Sequence, residues 1–114
     1  NQICIAGVLQ GLAEGVHFAQ SASLDVEKVV EVISQGAAQS WQMENRALTM
    51  NQDKFDFGFA VDLMRKDLSI AFRESEKYGI DLEITKIIDT FYEDLQKQGH
   101  NSLDTSSLIK RLIK

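Results

Sequence analysis

The sequence of 114 residues contains no proline, although soluble proteins use it at about 5%. Proline removes an amide donor and breaks helices, so nothing of that kind interrupts a long helix in this chain. Cysteine is almost as rare, since Cys4 stands alone, and an internal disulfide is therefore excluded. No Cys and His spacing resembles a zinc site, so we predict no metal. A single thiol suits a reducing compartment, and we expect a cytoplasmic protein.

Basic charge and long apolar runs are also scarce. The 12 Lys and Arg against 17 Asp and Glu give a net charge of −5, and the basic clusters are only pairs such as Arg65-Lys66. Proteins that hold nucleic acid neutralise its phosphates with basic side chains, so we expect no nucleic-acid partner. No apolar run approaches the roughly 20 residues that span a bilayer, so no membrane partner is expected. The length and composition fit one soluble globular domain.

Apolar residues recur at helical spacing, and no segment shows the strict alternation of a strand. Asn51 to Phe57 is polar and predicts a loop, while Gly79 and Gly99 stand where helices commonly stop. The sequence therefore predicts an all-α fold of six helices. They run from Asn1 to about Ser21, from the cap Asp25 to about Ser34, after the cap Ser40 through Trp41, Ala47 and Leu48, from about Phe59 to Tyr78, from Asp81 to about Gln98, and briefly after the cap Asp104.

One apolar stripe in each helix is expected to face the core, and Trp41 is expected to be a packing residue. These stripes comprise Ile5, Leu9, Leu12, Val16 and Ala19; Val26, Val29, Val30 and Ile33; Ile84, Ile87, Ile88, Phe91 and Leu95; and Leu108, Ile109, Leu112 and Ile113.

A second face of the first helix carries Gly7, Gly11 and Gly15, each of which costs about 1 kcal/mol of helix propensity relative to alanine. Small residues at this spacing let another backbone approach closely. We therefore expect this face to be pressed against a neighbouring helix, either inside the domain or in a dimer. The helical pattern is already running at Asn1, with no initiating methionine, so we expect the chain to be part of a longer protein whose missing part lies upstream.

Lys66 is a cation on an otherwise apolar stripe formed with Phe59, Leu63 and Ile70. One interpretation is a lysine whose stem covers apolar surface while its ammonium reaches water. The other is a functional group. The neighbouring Asp67 is interpreted as a surface ion-pair partner. Neither histidine has an acidic partner at a useful spacing, so the sequence offers no persuasive catalytic base.

The order and spacing of several short elements resemble the C-terminal domain of the 3-hydroxyisobutyrate dehydrogenase, or β-hydroxyacid dehydrogenase, family. The likeness covers essentially the whole chain and implies the all-α, six-helix fold of the 6-phosphogluconate dehydrogenase C-terminal-like type. The elements are Asn1-Gln2, Ala13-Glu14, Ser23-Leu24-Asp25, Phe59, Leu63-Met64-Arg65-Lys66-Asp67-Leu68 and Leu103-Asp104-Thr105-Ser106-Ser107.

The resemblance also implies roles for individual residues. Asn1 and Gln2 match the last two positions of the family motif Lys-x-x-Asn-Asn or Lys-x-x-Asn-Gln, which makes them substrate-binding residues. The catalytic lysine would fall three residues before Asn1, outside this chain. Lys66 matches a lysine that contacts the nicotinamide cofactor across the interdomain cleft, and Phe59 matches an aromatic residue beside the same cleft.

The implied parent is an NAD- or NADP-dependent oxidoreductase acting on a small hydroxy acid such as 3-hydroxyisobutyrate. Its cofactor would be bound mainly by an N-terminal Rossmann domain, because the Gly-x-Gly-x-x-Gly phosphate cradle is missing here. We therefore expect residues 1–114 to be a single C-terminal substrate and dimerisation domain that is inactive alone and forms a homodimer. Two alternatives stay open at this point: an imine reductase domain, and a non-catalytic helical interaction module in which Lys66 is only a surface charge.

Overall fold

The computed structural model describes residues 1–113, which form five α-helices and one 3-10 helix without any strand. The prediction of an all-α fold with six helices is confirmed. No helix of this part of the chain has the length and apolar character needed to cross a membrane. In chain order the elements are α1 (Gln2–Ser21), α2 (Val26–Ile33), α3 (Trp41–Asn51), α4 (Val61–Lys77), α5 (Glu83–Lys97) and the 3-10 helix (Thr105–Arg111).

The centre of the fold is α1, which packs against every other helix. Its core-facing stripe is buried at Leu9, Leu12, Val16 and Ala19, as predicted, while Ile5 is half-buried. Burying a leucine or methionine side chain completely stabilises the fold by about 1.5–3 kcal/mol. The largest side chains buried around α1 are Tyr92, Met50, Met64, Leu68, Leu95, Leu108 and Ile109.

Helix starts and stops follow the sequence signals closely. Each predicted cap accepts a hydrogen bond from a backbone N–H of the first turn, which satisfies one of the donors left free there. Gly79 follows α4 with a φ of 64°, in the left-handed region that a glycine enters without strain. The cap bonds join Asp25 to Lys28 N at 3.3 Å, Ser40 to Met43 N at 3.0 Å and Asp104 to Ser106 N at 3.1 Å.

The helix predicted from about Phe59 begins at Val61, two residues later. Ala60 pairs with Asp104 in an isolated antiparallel bridge, which holds the chain extended just before the helix. The loop prediction also needs correction, since α3 runs through Asn51 and Phe55 is buried within the following loop. Ala60 and Phe55 both pair with Asp104 near the end of the chain, and no local pattern encodes this contact.

Several residues predicted to be buried lie on the surface. The buried face of α4 consists of Val61, Met64 and Leu68, so the stripe that carries Lys66 points outward, with Leu63 and Ile70 each 47% exposed. The same correction applies to Ile33, Trp41, Ile84, Ile87 and Ile113, which are exposed. A bundle with one central helix covers one face of each outer helix, and these side chains exceed what that face can hide.

The glycine face of α1 is open. A Cβ atom built on Gly7, Gly11 or Gly15 would meet nothing within 4 Å, so no helix of residues 1–113 is pressed against this face. The prediction of close packing inside the domain was therefore wrong. The glycines instead form the floor of an apolar groove of about 360 Å³ between α1, α2 and α3, which we call the glycine groove. Its walls are formed by Val8, Leu12, Val16, Ala19, Val26, Val29, Val30, Ile33, Ala38, Ser40 and Met43.

Candidate functional site

The N-terminal end of α1 lies against α4, and a hydrogen bond joins the two helices there. Gln2 Nε2 donates to Asp67 Oδ2 at 2.9 Å, and Asn1 Nδ2 donates to Gln2 Oε1 at 2.7 Å. The carboxylate of Asp67 therefore orients the Gln2 amide, with its nitrogen toward α4 and its oxygen toward Asn1. An amide has two donor hydrogens and two acceptor lone pairs, so Gln2 keeps one of each for another molecule.

These side chains border a shallow depression of about 450 Å³ on the surface. Three apolar residues and two carboxylates contribute to it, which gives the depression a mixed character. Its lining residues are Asn1, Gln2, Ile3, Asp67, Ile70, Ala71 and Glu74. Sequence reasoning predicted Asn1 and Gln2 as site residues but missed the part played by Asp67, because its partner Gln2 is 65 residues away in the chain.

Lys66 is exposed and precedes the residue that binds Gln2. On an α-helix successive residues are turned by about 100°, so Lys66 lies beside the depression rather than within its lining. The ion pairs of the described chain do not include Lys66. Lys66 is thus a cation on α4, one residue before the carboxylate that binds Gln2 at the N-terminal end of α1.

The outward direction of Lys66 is fixed by a network on the adjacent side of α4. Arg65 donates to both oxygens of Asp89 on α5, each at 3.0 Å, and to Gln96 Oε1 at 2.9 Å. The hydrogen bond to Asp89 raises the pKa of the Arg65 guanidinium. A bidentate pair between arginine and carboxylate is geometrically specific, so this pair fixes the rotation of α4 about its own axis relative to α5.

Phe59 lies just before α4 in the loop that follows α3, and its ring is partly exposed. Both of its backbone groups are bonded to the start of the 3-10 helix. Phe59 N donates to Asp104 Oδ1 at 2.9 Å, and Phe59 O accepts from Thr105 N at 2.9 Å. The ring therefore projects from an anchored segment, although that segment is neither helix nor strand.

Phe59 thus lies in the loop before α4, and Lys66 lies in the second turn of that helix. Asn1 and Gln2 belong to the end of α1 that contacts Asp67, the residue after Lys66. The arrangement provides one cation, one partly exposed aromatic ring and an oriented amide. A cation can contact the oxygens of a dinucleotide, an aromatic ring can contact its planar rings, and an amide can contact a small polar substrate. These three kinds of group therefore fit part of a dinucleotide and substrate site.

Within residues 1–113 no group of three or more His, Cys, Asp or Glu side chains is placed to hold a metal ion.

Comparisons with known proteins agree with the resemblance carried by the motifs. Residues 1–112 match the family described as NAD-binding of NADP-dependent 3-hydroxyisobutyrate dehydrogenase. An uncharacterized oxidoreductase of Shewanella frigidimarina is 61% identical over 114 residues, which are 100% of this chain and 39% of that protein. A probable 3-hydroxyisobutyrate dehydrogenase-like 1 protein, mitochondrial, of Arabidopsis thaliana is 37% identical, covering 98% of this chain and 34% of that protein.

The fold is also that of solved dehydrogenase structures. The 3-hydroxyisobutyrate dehydrogenase of Mycobacterium tuberculosis, solved with L-serine, superposes with a TM-score of 0.86 at 24% identity, over 100% of this chain and 41% of that one. At this level of identity the likeness establishes the fold alone. The match of residues 1–112 to one family settles the classification. The chain belongs to the family of NAD-binding domains of NADP-dependent 3-hydroxyisobutyrate dehydrogenases.

Proposed function

We propose that this chain is the helical domain of an NAD(P)-dependent dehydrogenase that interconverts a small β-hydroxy acid and its semialdehyde or keto form. The chain spans 39% of the length of the Shewanella relative, so the rest of the parent protein is available to supply a dinucleotide-binding Rossmann domain. The bond between Gln2 and Asp67 carries the proposal, because it brings the predicted substrate-binding end of α1 beside the helix that bears Lys66.

Bound NAD(P) would supply hydride transfer, and the residues of this chain would bind and orient. The ammonium of Lys66 is free to pair with oxygen atoms of the cofactor. Phe59 offers an aromatic surface on an anchored backbone. Gln2, held by Asp67, offers one donor and one acceptor to the hydroxyl or carboxylate of the substrate.

The cofactor role of Lys66 is tested by Lys66→Ala in the full-length parent. A hydrogen bond to a charged group contributes about 1.5–3 kcal/mol, and because Lys66 is solvent-exposed we expect the lower end, an increase of about tenfold in the dinucleotide dissociation constant. Calorimetric titration with NADH and NADPH measures this. The control is Lys97→Ala, an exposed lysine at the end of α5 that pairs with Glu93, which should leave the affinity unchanged. Unchanged affinity and turnover in Lys66→Ala would favour the interaction module.

The substrate role of Gln2 has a different signature. Gln2→Ala should raise KM for the hydroxy acid by about tenfold, because one hydrogen bond to the substrate is lost, while the dinucleotide affinity stays the same. Gln39→Ala, at an exposed glutamine between α2 and α3, is the control. A Gln2→Ala enzyme with wild-type KM would remove Gln2 from the substrate site.

The residue three positions before Asn1 in the parent separates the two enzyme classes. By the family motif a lysine is expected there, and a lysine with a lowered pKa can give or take the proton at the substrate oxygen. Another residue at that position would remove the hydroxyacid mechanism and favour an imine reductase.

We also propose that the parent is a homodimer and that the glycine groove receives a second copy. Three glycines are costly in a helix unless another backbone approaches them, and no segment of residues 1–113 does so. Gly11→Leu should fill the groove, because a Cβ at Gly11 meets nothing within 4 Å and so has room to extend into it. Light scattering should then show a dimer for the wild-type parent and a monomer for the variant. A wild-type monomer that Gly11→Leu destabilises would instead show that another part of the same parent fills the groove.

A further inference from the structure

Asp104 is a carboxylate buried to 1% exposure at the junction of three segments of the chain. Its Oδ1 accepts from Phe59 N at 2.9 Å, and its Oδ2 accepts from Arg46 Nε at 3.0 Å. Oδ2 also accepts from the backbone N–H and the hydroxyl of Ser106. The sequence predicts only a helix cap at this position, and the capping bond is one of these four.

Arg46, the cationic partner, is itself held in place by aromatic rings. Its guanidinium carbon lies 5.1 Å from the centroid of the Trp41 ring and 4.8 Å from that of Phe57. Cation–π contacts of this kind restrict the side chain in addition to the ion pair. Asp104 therefore connects α3, the loop before α4 and the 3-10 helix in one buried cluster.

This cluster exceeds what helix capping requires. One accepted N–H bond caps a helix, and a neutral serine or asparagine provides it. Burying a carboxylate is unfavourable unless a cation and further donors compensate, as they do here. Two further contacts hold the loop before α4 at Phe59. The Phe59 N–H donates to Asp104, and the Phe59 carbonyl accepts from the N–H of the next residue, Thr105.

We propose that Asp104 is a positioning residue for cofactor binding: with Arg46 it fixes the Phe59 backbone, and so sets the place of the Phe59 ring at the cofactor cleft. The inference rests on the proposed function, which assigns Phe59 to that cleft. Asp104 is buried and does not touch the cofactor, so its effect must pass through Phe59.

A double-mutant cycle in the full-length parent tests this dependence. Calorimetry measures the dissociation constants of NADH and NADPH for the wild type, Phe59→Ala, Asp104→Asn and the double variant. Loss of one aromatic contact should weaken binding about three- to tenfold in each single variant. In the Phe59→Ala background, Asp104→Asn should add less than about twofold, because the ring that it positions is already absent.

Three results would separate the possible failures. If Phe59→Ala leaves dinucleotide affinity unchanged, the cofactor role of Phe59 in the proposed function is wrong. If Phe59→Ala weakens binding but Asp104→Asn does not, the positioning role is wrong while the proposed function stands. Equal losses from Asp104→Asn with and without the Phe59 ring would likewise overturn the positioning role, because the effect would not pass through that ring.

Arg46→Ala gives a second cycle if Asp104→Asn does not fold. Arg46 is 17% exposed, so its removal admits water to Asp104. The matched control is Arg111→Ala, since Arg111 is 20% exposed, pairs with Asp94 at 2.9 Å and lies 3.9 Å from the Phe91 ring centroid. We expect Arg46→Ala to weaken binding only when Phe59 is present, and Arg111→Ala to have no effect. An equal loss in the two arginine variants, or no loss in Arg46→Ala, would overturn the proposal.

Discussion

Replacing Gly58 by alanine should destabilise the fold far more than the same change at Gly79. Both glycines have a positive φ, of 72° and 64°, so an alanine at either position is strained by about 1–2 kcal/mol. At Gly79 a new Cβ meets nothing within 4 Å, whereas at Gly58 it would lie 2.1 Å from Asp104 Oδ1 and 2.8 Å from Arg46 Nη2. The carboxylate or the loop must therefore move in Gly58→Ala.

The expected magnitude follows from the bonds that such a movement breaks. Each buried polar group left unsatisfied costs about 1–3 kcal/mol, and Asp104 and the Phe59 N–H are both affected. We expect Gly58→Ala to lower the free energy of unfolding by about 3–8 kcal/mol and Gly79→Ala by about 1–2 kcal/mol. Urea unfolding of the full chain, followed by far-ultraviolet circular dichroism, measures both. Equal losses in the two variants would refute the stabilising role given to the Asp104 contacts.

Three further predictions concern the remainder of the fold. Burial raises the pKa of the Tyr92 phenol, so the folded state keeps a proton that the unfolded chain loses above about pH 10. Stability should fall above that pH by up to about 1.4 kcal/mol per pH unit, and urea titrations of Tyr92→Phe should lack this slope. Arg65→Met should lower the free energy of unfolding by about 1–3 kcal/mol, and Lys77→Met, at an exposed ion pair, by at most about 0.5 kcal/mol. Equal losses would contradict the role given to Arg65 in holding α4 against α5. Leu108→Ala should cost about 2–5 kcal/mol and Ile84→Ala less than about 1 kcal/mol in the same assay, and a reversed order would contradict the assigned core.

The elements of this fold could be predicted because their signals are local. Asp25, Ser40 and Asp104 each stand at a helix start, and Gly79 follows the end of a helix, so neighbouring residues indicate these four bounds. The same local pattern identified apolar stripes but not their direction. Ile84 and Ile88 both fit a helical stripe of α5, yet only Ile88 meets the central helix and is buried.

The candidate site could be predicted only in part, because its contacts join distant parts of the chain. Asn1, Gln2 and Lys66 were found through their motifs, which a sequence displays directly. Asp67 was not, since its bond to Gln2 spans 65 residues. The Asp104 contact with Arg46 spans 58 residues and leaves no local signal beyond the cap. Whether Asn1, Gln2, Lys66 and Phe59 bind substrate and cofactor stays a prediction.

The central position of α1 has a consequence for biosynthesis. This helix is synthesised before the other five, yet it packs against all of them, including the 3-10 helix at the far end of the chain. The part of α1 that the 3-10 helix covers stays open until roughly ninety more residues have left the ribosome, and contacts between such distant segments form slowly. We therefore expect the nascent chain to depend on a chaperone that shelters this part of α1 during translation. Ribosome-bound chains that end before the 3-10 helix should accordingly remain sensitive to protease.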